Sequence, residues 1–209
     1  MALTLSETAS FTPAPEGVHG AICFMVADLG TQPTVDFKGN PKQVHKLQLA
    51  FEILSDERMD SGQPFSISHR FTASLHEKSS FRPFLQSWRG KAFTEEELRK
   101  FDVGKLLGAP CLLNIVHETK DGKTYSNIGS ISPLPKGMPK PEAVNKPLRF
   151  DLDAPDWMMF ESLPARLQES IKASAEWPNV DPTKHGGPDP KQPPAGGDSF
   201  DDFASDIPF

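Results

Sequence analysis

The chain has 209 residues, room for one domain with accessory segments or for two small ones. Apolar residues make up 37% of it and there are 21 prolines, about twice the usual share, so a core can form but part of the chain must lie outside it. The longest apolar run, residues 21–27, is far short of the ~20 residues that cross a bilayer, which excludes a helical membrane span. The N-terminus has neither a basic region nor an apolar stretch of the secretory kind. Cys23 and Cys111 are too few for a disulfide framework or a cysteine-based zinc site, and are expected to be reduced core residues of a cytoplasmic protein.

The net charge of −6 hides an asymmetry. Residues 1–150 carry 18 Lys and Arg against 16 Asp and Glu, whereas residues 151–209 carry 4 against 12. A slightly basic body therefore bears an acidic arm, a distribution found in nucleic-acid and interaction proteins.

Residues 17–29 are apolar and β-branched without helical spacing, which predicts a buried strand. A long connection follows, with turn signals at Gly39, Asn40 and Pro41. In residues 44–54, Leu47, Leu49, Phe51 and Ile53 alternate with Lys46, Gln48, Ala50 and Glu52, the pattern of a strand with one wet, cationic face. Residues 65–75 repeat it, with Phe65, Ile67, Phe71 and Leu75 inward and Ser66, Ser68, Arg70, Thr72 and Ser74 outward. Phe81, Phe84, Leu85 and Trp88 then fall at helical spacing, with Ser79 or Ser80 to cap the start and Gly90 to end it. Trp88 is expected in the core. Arg89 and Lys91 sit where cations favour a helix terminus. Thr94 and Glu97 form a capping-box signature, and a further turn runs from Asp102 to Gly108. Two strands, about 110–118 and 123–134, are joined by Asp121-Gly122, a preferred type I′ hairpin turn.

Three strands, a helical insertion and a closing hairpin form the order of the OB-fold, a five-stranded Greek-key barrel, although other small antiparallel barrels stay open. The expected fold is therefore mainly β. A flexible segment covers residues 1–16 and the barrel residues 17–150, with a proline-rich stretch after Pro133 wrapping over it. A helical extension covers residues 151–177, capped at Ser162, with Leu163, Leu167 and Ile171 on one face. Residues 178–209 hold 7 prolines and 4 glycines and are expected to be disordered.

The chain ends Asp201-Asp202-Phe203-Ala204-Ser205-Asp206-Ile207-Pro208-Phe209. A terminal aromatic carboxylate preceded by acids suits capture in an apolar pocket with a basic rim. The final Asp-Ile-Pro-Phe, after a Gly/Pro-rich linker, resembles the tip of bacterial single-stranded DNA-binding proteins, whose tips recruit replication and repair enzymes. The body, through Ser74-Leu75-His76-Glu77-Lys78-Ser79, Ser87-Trp88-Arg89-Gly90-Lys91 and Leu106-Leu107-Gly108-Ala109-Pro110-Cys111, resembles bacteriophage-encoded OB-fold single-stranded DNA-binding proteins. The resemblance implies a non-enzymatic protein that coats single-stranded DNA in replication, recombination or repair. It implies partner enzymes bound through Asp201, Asp202, Asp206, Ile207, Pro208 and Phe209.

A single strand is gripped by cations along a groove and by exposed rings on which bases stack. On an OB frame three clusters are the candidates. The first loop offers Phe37, Lys38 and Lys42, the sheet face Lys46, Gln48 and Arg70, and the last hairpin Lys120, Lys123 and Tyr125. No catalytic residue, metal or cofactor is expected, because the six histidines show no metal-ligand spacing and no phosphate-binding or nucleophile motif occurs. Asp28 and Asp36 are explained as a strand-end acid and a loop acid. The alternatives are an adaptor that docks on replication proteins without binding DNA, and an annealing or single-stranded RNA-binding barrel.

Overall fold

A computed structural model describes residues 12–138 and 141–180. The chain is mainly β. Five strands form an antiparallel path in the order β3-β2-β1-β4-β5, built from β1 (Gly17–Val35), β2 (Pro41–Leu54), β3 (Ser66–Thr72), β4 (Pro110–Lys120) and β5 (Lys123–Ser132). A short sixth strand, β6 (Leu148–Phe150), pairs in parallel with residues 25–27 of β1. β3 lies against β5 without a hydrogen-bonded ladder among the described residues, so the sheet is open there.

Between β3 and β4 stand α1 (Phe81–Arg89), α2 (Glu95–Arg99) and a 3-10 turn (Val103–Leu106). Ser79 Oγ accepts from the Phe81 amide at the start of α1, and Gly90 closes it in the left-handed conformation. At α2 the capping box forms as the sequence predicts: Thr94 Oγ1 accepts from the Glu97 amide while Glu97 accepts from the Thr94 amide. Asp121 and Gly122 both have positive φ, as the type I′ turn requires.

One face of the sheet forms the main core. Cys23, Val26, Leu49, Phe51, Phe71, Cys111 and Leu113 pack there against α1, whose Trp88 is fully buried. The Trp88 indole donates to the Pro110 carbonyl at 2.8 Å and meets the Phe51 ring edge-on at 5.3 Å. Both cysteines are free and buried, and burial pushes their thiols well above the ordinary range.

The opposite face is covered by the C-terminal segment. After β6 come α3 (Trp157–Ser162), α4 (Ala165–Lys172) and α5 (Trp177–Val180). Phe150, Leu152, Phe160, Leu163, Leu167 and Ile171 bury Met25, Ala27, Leu29 and Ala50 of the sheet. At roughly 1.5–3 kcal/mol for each large apolar side chain, this second core rivals the first in what it contributes per residue. The approach is close at Gly30, where a Cβ would lie 2.6–2.7 Å from side-chain atoms of Leu152, Ser174 and Glu176.

Several expectations are corrected. The connection at residues 31–43 is not a loop: β1 and β2 continue as a paired ribbon to Val35↔Pro41, leaving a turn anchored by Asp36, which accepts from the amides of Lys38 and Asn40. Strand three stops at Thr72: Ala73 still donates to the His45 carbonyl of β2, but the Ser74 amide then folds back onto the Thr72 carbonyl. The helix expected from Ser162 to residue 177 starts only at Ala165 and ends at Lys172, and a separate helix, α3, precedes it on the other side of Leu163-Pro164. Asp156 caps α3, and Ser162 Oγ donates to Met159 instead of capping α4.

Candidate nucleic-acid interface

The three expected clusters occupy different parts of the sheet. The β1–β2 ribbon carries the first. Phe37 is 93% exposed at its tip, not packed under the turn, and Lys38 Nζ lies 5.5 Å from the ring centroid. Lys42 is exposed on the returning strand, opposite Thr34. Hydrogen bonds from Asn40, first from its side chain and then from its amide, hold the Asp36 carboxyl below the usual aspartate value, so the turn keeps its shape when the acid is ionised.

The β4–β5 hairpin carries the third cluster, and by register it leaves the other end of β1, beyond Gly17↔Ile115. Lys120 and Lys123 face each other across the last pair before Asp121-Gly122. Like charges directly opposite destabilise a hairpin, and an anion bound between them removes that cost. Tyr125, 46% exposed, stands opposite Glu118.

On the sheet face, the strand alternation places Lys46, Gln48, Ala50 and Glu52 outward as expected, but that face is wet only in part. Ala50 is covered by the C-terminal helices, and Glu52 is fully buried beneath residues 144–145. Lys46 is half-buried between Gly30 of β1 and Thr72 of β3. Arg70 is exposed on β3, directly across from Gln48, whose Oε1 accepts from Arg70 Nε at 2.8 Å. Arg70 Nη2 also donates to Ser170 Oγ of α4 at 3.0 Å. Gln48 thus positions the arginine. What remains open is a strip along β3, with exposed Ser66, Ser68 and Thr72 around Arg70.

The helix-end cation Arg89 serves the fold. Arg89 is 2% exposed, pairs with Glu97 and lies 4.4 Å over the Phe93 ring. Asp28 accepts from the Gly30 amide at 2.8 Å and contacts His45 at 2.7 Å, while Asp36 anchors its turn, so the two acids serve separate local structures. Among the described residues no group of three or more His, Cys, Asp or Glu is placed to hold a metal ion. A pocket of about 290 Å³ is lined by apolar residues including Phe81 and Phe101 and by Asp28, His45, Arg149, Asp151 and Asp153. Its acidic side chains set it apart from the cationic strip.

Sequence reasoning missed Arg166, which follows Pro164 at the start of α4, one helical turn before the Ser170 that accepts from Arg70. Its signal was present: Arg166 and Ser170 stand four apart, forming a polar stripe beside the apolar one. The strand on which that stripe lands is not encoded locally. The partner-binding candidates Asp201, Asp202, Asp206, Ile207, Pro208 and Phe209 and most of the segment 1–16 lie outside the described residues; of residues 178–209, expected to be disordered, 178–180 belong to helix α5 and the rest lie outside the described residues. No described helix is long and apolar enough to cross a membrane. No protein-family model matches the chain, and no curated protein matches it.

Proposed function

We propose that the chain binds single-stranded DNA without sequence preference and, through its acidic C-terminal tip, brings enzymes of replication or recombination to it. The observation that carries this reading is the cationic strip of Lys46, Arg70 and Arg166. None of the three is in an ion pair among the described residues, and the strip lies on a sheet whose two hairpins end in lysines and exposed rings. Cations neutralise phosphates and rings stack bases, and neither reads sequence. The strand order with a helical insertion between β3 and β4 supports an OB-type barrel opened between β3 and β5. The tip supports a recruiting role through its likeness to bacterial single-strand-binding tips, and the likeness of the body supports a phage origin. No catalysis, metal or cofactor is part of the proposal.

With only a handful of phosphates neutralised, the log–log salt slope on single strands is expected at roughly 2 to 4 in magnitude. The test is an anisotropy titration of one labelled oligonucleotide as single-stranded DNA, as duplex and as RNA. Tight binding of the single-stranded DNA alone supports the proposal. Preference for RNA supports the RNA-binding alternative, and binding to none of the three leaves the adaptor.

A further inference from the structure

α4 both covers the sheet and delivers a second guanidinium to its open strip. The two bonds to Gln48 Oε1 and Ser170 Oγ hold the Arg70 side chain between β2 and α4. They use two of the five N–H groups of a guanidinium, and the other three meet no protein acceptor among the described residues. Ser170 in turn donates to the Arg166 carbonyl at 3.0 Å, and Arg166 precedes it by one helical turn, the spacing that places two side chains next to each other. Arg166 is exposed. After burial, its charge is the second cause that holds the Arg70 pKa below the usual arginine value, so the two cations feel each other.

Neither arginine is in an ion pair among the described residues, and the acid closest in sequence on α4, Glu169, pairs with neither. Two guanidinium groups brought to the same stretch of surface repel, and an anion between them offsets that repulsion. Planar forks of N–H donors match a phosphate group, which offers several acceptor oxygens at once. The hydroxyls of Ser68 and Thr72 flank Arg70 on its own strand, and Lys46 lies across from Thr72. The surroundings therefore continue the anion-binding character along the sheet, which favours a chain of phosphates over a single free anion.

We propose that Arg70 of β3 and Arg166 of α4 together hold one phosphodiester of a bound single strand, making the C-terminal helix part of the binding site. This rests on the function proposed above.

The experiment follows a labelled oligothymidylate by anisotropy with the full chain over a range of chloride concentrations. The variants are Arg70→Ala, Arg166→Ala, their double variant and Arg166→Lys. Lys172→Ala serves as the control, because Lys172 lies over the Phe160 ring on another flank of α4. Arg166→Ala is expected to weaken binding about fivefold at low salt and to lower the salt slope by roughly 0.7, the value of one phosphate on a single strand. Arg166→Lys keeps the slope while losing part of the affinity, and Lys172→Ala leaves the slope unchanged. The double variant loses less than the product of the two single losses, because one shared phosphate is lost once. Thermal melts matching the wild type confirm that Arg166→Ala folds. If Arg166→Ala binds as the wild type does, or if the two losses multiply, the shared site is overturned while the proposed function stands. A wild-type chain that ignores the oligonucleotide overturns both.

Discussion

One carboxylate oxygen of Glu52 accepts from Asn145 twice, from its backbone amide and from its side-chain amide, each at 2.7 Å, while the other oxygen accepts from the Val144 amide at 2.9 Å. Glu52 is 0% exposed near the end of β2, so this acid fastens the proline-rich wrap onto the outer face of the sheet. Glu52→Gln turns an acceptor into a donor that faces donors, and a buried polar mismatch of this kind costs about 1–3 kcal/mol. The variant is expected to unfold at lower denaturant and to lose hydrogen-exchange protection at Val144 and Asn145 first. Unchanged protection there would show that the wrap is held by other contacts.

Arg89 and Glu97 form the most enclosed ion pair among the described residues, and Glu97 also closes the α2 capping box. Glu97→Gln leaves a guanidinium buried without its counter-charge, and losing one partner of a buried pair costs roughly 3 kcal/mol. The hydrogen bond from Arg89, then that from the Thr94 amide, hold the Glu97 pKa below its ordinary value. A depressed folded pKa means that this stabilisation is complete above the unfolded glutamate pKa, about 4.3, and is lost as pH falls through the lower folded value. Denaturant melts from pH 7 down to pH 3 should therefore show a flatter acid limb for Glu97→Gln than for the wild type. Parallel limbs would remove Glu97 from the acid response.

What the sequence revealed of this fold was its local chemistry. The alternation of Leu47, Leu49, Phe51 and Ile53 located β2, Asp121-Gly122 located the hairpin, and Thr94 with Glu97 located the α2 cap, because each signal acts within a few residues. Gly39 and Asn40 mark the turn, but Pro41 and the connection before them were misleading. The stretch from residue 31 reads as a loop, yet Pro33↔Gln43 and Val35↔Pro41 are paired in a two-stranded ribbon, where a missing N–H is tolerated on an open edge. β6 left too short a pattern to notice. It forms because β4 leaves β1 at Ile22↔Pro110, so the edge of β1 at residues 25–27 is free to take Leu148–Phe150. The same non-local logic hid part of the candidate site. Alternation puts Glu52 on the same face as Lys46 and Gln48, and only the chain 92 residues further on decides that Glu52 is buried. Arg70 was legible as an outward cation, but its neighbour Arg166 depends on where α4 docks.

That docking makes the C-terminal helices part of the folding unit. A chain ending at residue 150 would expose Met25, Ala27, Leu29 and Ala50 and lose Leu163, Leu167 and Ile171 as their cover. It is expected to aggregate on size-exclusion chromatography, whereas a chain ending at residue 180 should elute as a single folded species. Within the full chain, Ile171→Ala, at a fully buried position, should cost about 2–5 kcal/mol. A well-behaved 150-residue chain with an unchanged melting profile would mean that the sheet does not need this cover.

The exposed rings at the two hairpin tips separate binding from folding. Phe37 is 93% exposed and Tyr125 46% exposed, so neither contributes much to the core. Replacing each by alanine should leave the melting temperature close to that of the wild type. On single-stranded DNA each loss should weaken binding by about 1–3 kcal/mol, the worth of a base–ring stack. Because stacking involves no counterion release, the salt slope should stay where it was, unlike the slope of Lys120→Ala or Lys123→Ala, which remove charge from the β4–β5 tip. Affinity measured at several chloride concentrations therefore distinguishes rings from cations at the same hairpin. If Phe37→Ala and Tyr125→Ala both bind as tightly as the wild type, the strand is held by charge along the sheet alone and the hairpin tips lie outside its path.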